Sequence, residues 1–282
     1  MSAMTTTLTD ADAQTRARLR DLFAAEWLKL WSLRSTRWGL LISALVVIGF
    51  NVGIAENTVR YWYQNDPASR ASYVSTGLPL LDAYTTDAGI LAVVAAGAFG
   101  AVAISGEFGT GLIRVTFAAV PARRSVMAAK MGVLAAVMTV FGALVAAVSF
   151  AATQAILAQR HANASIGSPN ALRVVVASSL LVPVCALAGA AIGAIVRRSA
   201  AAVAAAVVLL QVLPVIIGDH GHWAAVIGHT LPYEAWLQLV TTAYGQSDTT
   251  YPWSLTSAWI IFAVWTLAAV LVAVVAEDRR DL

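Results

Sequence analysis

Lysine is nearly missing from this 282-residue chain, and so is cysteine. Of 18 Lys and Arg residues, only Lys29 and Lys130 are lysine, and neither follows a glycine. The GxxxxGK[ST] loop that cradles nucleotide phosphates is therefore excluded. Cys185 is the one cysteine, set inside an apolar run. That excludes an intrachain disulfide and any zinc cluster built from several thiolates. GxSxG, HExxH and CxxC are also missing, so the chain carries none of the commonest hydrolase, zincin or redox signatures. Charge is scarce as well. Asp, Glu, Lys and Arg make up 12% of the residues, against about 25% in an average soluble domain. So little charge excludes a water-exposed globule.

Apolar residues are what the chain has in excess, at 59% of the total and a mean hydropathy of +0.75. They gather in six runs, at about 38–54, 85–104, 131–157, 174–196, 200–217 and 256–276. About 20 apolar residues in a helix cross a bilayer. The expected fold is an all-α integral membrane protein with six transmembrane helices. The first run ends without a small-x-small cleavage site, so it is expected to stay as a span.

The basic residues give the orientation. Only Arg60, Arg70, Arg160 and Arg173 flank one side of the runs, and every other Lys and Arg flanks the opposite side. Cytoplasmic loops are enriched in Lys and Arg, so both termini are expected in the cytoplasm, in the plasma membrane. The net charge of +3 and pI near 9.2 do not point to nucleic acid. These charges edge a membrane, where anionic lipids attract them, and do not form a basic face on a soluble fold.

Residues 1–37 read as a cytoplasmic tail and 38–282 as a six-span domain. Within the tail, Leu19, Leu22, Phe23, Trp27, Leu30 and Trp31 recur at three-and-four spacing, with Arg16, Arg20, Asp21 and Lys29 off that stripe. The pattern predicts an amphipathic helix over about 15–32, lying in the membrane interface. Gly97 and Gly100 in the second run, and the Gly189/Gly193 pair in the fourth, permit close helix approach. The spans hold almost no charge, Asp87 at the outer edge of the second being the nearest candidate. An ion-coupled transporter often carries intramembrane charge, so the energy source is expected on another chain. Asp219, His220 and His222, with His229 beyond them, offer a second reading, as ligands of zinc or copper. They lack a further spaced ligand, and the neighbouring glycines equally favour a solvated turn.

Three stretches resemble the permease subunits of type-2 ABC exporters, particularly the small actinobacterial ones. EWLKLWSLRSTRW (Glu26 to Trp38) is similar to their entry into span one. GEFGTGLIRVTFAAVPARRSVMAAK (Gly106 to Lys130) resembles their loop after span two, and LPYEAWLQL (Leu231 to Leu239) their Leu-Pro element between spans five and six. The resemblance implies two permease halves, identical or related, on two cytoplasmic ABC ATPase subunits that bind ATP and Mg, with no cofactor or catalytic residue on this chain. It also implies that a cytoplasmic helix between spans two and three, within Glu107–Val120, docks on the ATPase. Leu112, Ile113, Val115 and Phe117 would give contact area, Glu107 and Arg114 polar register, with Thr110, Arg123 and Arg124 beside them. The helix before span one, with Leu19, Phe23, Trp27, Leu30 and Trp31, would lie at the same interface. Two other classes stay open: a stand-alone membrane enzyme or metal site using Asp219, His220 and His222, and a structural membrane subunit that transports nothing. A reporter fused at Leu282 is expected to behave as cytoplasmic; an external signal there would overturn the orientation.

Overall fold

The structure, a computed structural model, describes residues 19–120, 122–217, 221–242 and 251–278. It is all-helical among the described residues. A short helix α1 (Leu19–Ser32) leads into α2 (Arg34–Arg60). Two small helices follow, α3 (Pro67–Ser75) and α4 (Leu78–Asp82), and then α5 (Thr86–Gly109). A two-residue corner, Thr110 and Gly111, the latter with φ of 73°, opens α6 (Leu112–Ala119). Then come α7 (Arg123–Leu157), α8 (Ala171–Val196), α9 (Ser199–Val207) and α10 (Leu213–Ile217), followed by α11 (His222–His229), α12 (Pro232–Val240) and α13 (Leu255–Asp278). Six helical segments are long and apolar enough to cross a membrane, which makes this a multi-pass membrane protein. They match the six runs, but the helices overshoot the apolar stretches: α2 reaches Arg60, six residues beyond the expected edge. A helix does not stop where hydrocarbon stops, because Glu and Arg sustain it in the interface.

The fourth span, α8, is the axis of the bundle. Most of its length is buried, and it runs against α5 backbone to backbone. A Cβ on Gly100 would lie 1.8 Å from the Ala186 carbonyl oxygen, one on Gly189 2.0 Å from that of Gly97, and one on Gly193 2.5 Å from that of Ala101. The two glycine pairs noticed in the sequence therefore meet each other. In lipid there is little hydrophobic drive between helices, so such close van der Waals contact and its weak Cα–H···O bonds hold the seam. On another face of α8, Gly142 of α7 lies equally tight against Ser179. Pro183 is buried within α8, which stays helical through it. The fifth span differs: Val208–Val212 is a π-helical turn between α9 and α10. Pro214 has no N–H to close the regular turn, and the chain widens just before it.

Away from the Arg-rich end, buried polar side chains pin the spans. Asn51 of α2, 1% exposed, donates from Nδ2 to Ser149 Oγ on α7 at 3.1 Å. Its Oδ1 accepts from the Thr85 N–H and hydroxyl at 3.1 and 3.0 Å. Tyr73 and Thr58 both donate to Asp82 Oδ2 at 2.7 Å; burial, with the Asp82 carboxylate beside it, pushes the Tyr73 phenol well up. The Leu231–Leu239 stretch, likened above to a Leu-Pro element between spans five and six, runs into α12 (Pro232–Val240) and is largely buried. Trp236, 1% exposed, lies over Gly89, where a Cβ would meet its ring at 2.4 Å. Its Nε1 donates to Ser178 Oγ on α8 at 3.1 Å.

Gly100→Val is expected to cost about 3 kcal/mol or more, or to prevent folding, because the clash is with backbone. Gly53→Ala, at a site with open space around it, should change stability by less than about 0.5 kcal/mol. Thermal melting in detergent separates the two, and equal melting would contradict the seam.

Candidate functional site

The Arg-rich end of the bundle is built around the chain's two lysines. Lys130, in the first turns of α7, is 7% exposed, and Glu26, on α1, is 6% exposed. Lys130 Nζ donates to Glu26 Oε2 and to Glu107 Oε1 at 2.5 Å. Lys29, one turn after Glu26, donates to Glu26 Oε1 at 2.6 Å and to Thr116 Oγ1 of α6 at 3.3 Å. It also stands 3.9 Å from Glu107 Oε1. One four-charge knot thus joins α1, the last turn of α5, α6 and the start of α7. Two carboxylates and two ammoniums cancel, the condition under which charges tolerate burial. Lysine suits the position, since its compact ammonium can divide its donors between carboxylates from different helices.

Beneath the knot, Leu22 of α1, Ile113 and Phe117 of α6, and Val126 and Ala129 of α7 form a small apolar core of their own. Helix α6 has apolar residues on two faces. Ile113 and Phe117 are buried, at 2% and 6% exposure, whereas Leu112 and Val115 are 42% and 67% exposed. Arg114 and Arg124 are also exposed. The Arg123 guanidinium sits 5.5 Å from the Phe117 ring and that of Arg197 4.7 Å from the Phe108 ring, a cation–π arrangement in both cases.

Several residues lie differently from the expectation. Glu107 ends α5 instead of starting the short helix, and it faces the knot. Thr110, its hydroxyl donating to the Gly106 carbonyl at 3.1 Å, closes that helix. Ile113 and Phe117 fill the inner core, leaving Leu112 and Val115 as the outer apolar pair. On α1 the inner face is Leu22 and Glu26, with Leu30 and Trp31 half-buried. Leu19, Phe23 and Trp27 are exposed, although the edge of the Phe23 ring comes against Gly132 of α7. Residues 15–18 of the expected helix lie outside the described residues.

Above the knot, α2, α5 and α7, with the end of α1 and with Leu112 and Val115 of α6, line a half-open groove of about 930 Å³. The knot borders one end, and the remaining wall is almost wholly apolar, with Val182 of α8 behind it. Small residues on α5, among them Ala92, Ala95 and Gly106, leave the room. Asp219 and His220 lie outside the described residues. His222 begins α11, its ring edge-on to Trp223 and Tyr251 at 5.8 and 5.5 Å. Among the described residues no group of three His, Cys, Asp or Glu could hold a metal ion.

Glu26 and Lys130 are the residues that sequence reasoning missed. Their signal is slight: a glutamate on the apolar side of α1, and a lysine at the mouth of an apolar run in a chain that otherwise uses arginine. Comparison of the chain with protein-family models and with curated proteins gave no match.

Lys130→Met removes the ammonium that Glu26 and Glu107 share, leaves only Lys29 beside them, and is expected to cost about 3 kcal/mol. Neutralising them as well, in Glu26→Gln/Glu107→Gln/Lys130→Met, should recover most of that loss. Melting of the wild type and the two variants in detergent checks it, and full stability of Lys130→Met would refute the knot.

Proposed function

We propose that the chain is the membrane-spanning permease half of an ATP-driven ABC exporter. ATP and Mg would be bound by separate cytoplasmic ATPase subunits, and a second permease copy, identical or related, would complete the pathway in the plasma membrane. The knotted end would face the cytoplasm with both termini. The observation that carries this reading is α6. It is a short helix between two spans, fixed through its inner face to α1 and α7 and through Thr116 to the charge knot. Its outer face presents Leu112, Arg114 and Val115, a contact surface of the kind a protein partner buries.

The chemistry then follows from mechanics. An ATPase that closes on nucleotide and presses against Leu112 and Val115 moves α6. The knot passes that displacement to Glu107 on span two and Lys130 on span three together. A packed element of this kind transmits rigid-body motion. The Gly111 corner lets α6 meet α5 at an angle. The resemblance of the Gly106–Lys130 stretch supports the reading, as does the scarcity of charge within the spans. The permease supplies the path, and the partner supplies the energy.

The test is affinity capture of the tagged chain from mild detergent, followed by mass spectrometry for a P-loop ATPase. Because Glu107 is buried in the knot, Glu107→Lys would disturb the fold, so the informative change is on the outer face. Val115→Asp is expected to reduce the recovered ATPase about tenfold or more, the loss of a centrally placed apolar contact, with membrane insertion and melting unchanged. No ATPase with the wild-type chain, or recovery that ignores both Val115→Asp and Leu112→Asp, would overturn the proposal. It would then favour a structural subunit or an enzyme acting through Asp219, His220 and His222.

A further inference from the structure

The cavity between α2, α5 and α7 has a shape, a volume and a polarity that specify an occupant. Its wall on α5 runs from Ala92 to Glu107, about 22 Å at 1.5 Å per residue. That is longer than half of a roughly 30 Å hydrocarbon core. Its volume of about 930 Å³ lies in the range of small-molecule sites. Leu40, Phe99, Met138 and Phe141 line its length. The length and volume fit one long alkyl chain lying along the helices.

The polar end selects the head group. Glu26, Lys29, Glu107 and Lys130 border it, and their formal charges cancel. A phosphate, carboxylate or ammonium would find no surplus countercharge in this low-dielectric corner, and an uncompensated charge there is costly. Ser35, Thr36 and Thr110 border the same end. A hydroxyl head pairs with these side-chain hydroxyls and adds no charge.

We propose that this groove binds a single-chain amphiphile with an uncharged, hydroxyl-bearing head, such as a long-chain monoacylglycerol. Its tail lies against α5, and its head stands at the Glu107–Lys29 end. The inference does not depend on the permease reading. It is measured on this chain alone, whereas the permease reading fails on recruitment of an ATPase.

The experiment uses the full chain in phosphatidylcholine nanodiscs with a photoreactive C18 monoacylglycerol. Labelled peptides are expected in α2, α5 and α7. Unlabelled monoacylglycerol should compete at about a tenfold lower concentration than the fatty acid or the alkylamine of the same chain, the worth of one satisfied polar contact at the head. Ala95→Trp, which fills the groove, should cut labelling about tenfold with melting unchanged; Val102→Trp, at the mouth, serves if the first variant does not fold. Equal competition by the three heads, labelling spread over lipid-facing helix surfaces, or full labelling of the filled variant would overturn the proposal.

Discussion

Lys130 is held between two carboxylates that reach it from opposite directions in sequence, Glu26 from before the first span and Glu107 from the end of the second. Everything at that end of the molecule is arranged around this contact. Helix α1 has little else to fix it: Leu22 in the small core below, Phe23 over Gly132, and half-buried Leu30 and Trp31. Helix α6 is tied to the same point through Thr116 and Lys29. A hydrophobic contact would have allowed these helices to roll over one another at little cost. A buried ion pair does not, because any position that parts the charges strands them in low dielectric. The interaction therefore fixes geometry more than it adds stability.

The body of the bundle follows a different rule. Between α5 and α8 the chain gives up side chains altogether and brings backbone against backbone at Gly97, Gly100, Gly189 and Gly193. Farther out, Asn51, Thr85 and Ser149 replace packing with hydrogen bonds, which in lipid have no water to compete with them. One bundle thus has an ionic end, a seam of small residues along its centre and a neutral polar lock beyond it. Where the small residues of α5 meet no partner, the same economy of volume leaves the cavity.

Much of this was legible in the sequence, and the reasons it was or was not are physical. Six spans showed because bilayer thickness dictates the length of an apolar run. The glycine pairs showed as candidates, but nothing in a one-dimensional pattern says that Gly97 meets Gly189 and not some third helix. The knot was not legible because its members are separated by up to 104 residues, and each alone reads as an ordinary interfacial charge. Periodicity identified α1 as amphipathic and the resemblance implied the short helix at α6, but neither fixed which residues face inward. On α1, Glu26 is drawn inward because Lys130 waits there, and Leu19 and Trp27 are left outside. On α6, Ile113 and Leu112 are alike in character and adjacent in sequence, and only tertiary packing decides which is covered. Asp219 and His220, a pair that the sequence raised as metal ligands, lie outside the described residues.

Trp236 carries a consequence of its own. Its ring occupies the notch over Gly89, at one end of the same α5 helix whose glycines meet α8. Sliding α5 by a single residue, about 1.5 Å along its axis, would carry Gly89 from beneath the indole and push a side-chain-bearing neighbour, Ala88 or Ile90, toward it. It would also take Gly100 off the Ala186 carbonyl and the Gly97 carbonyl off Gly189. The seam is keyed against translation at several points but has no such key against a small change of crossing angle. Two rods pinned in this way behave as the blades of scissors: they share a pivot, and what opens between them opens as a wedge, widest at the end farthest from the pin.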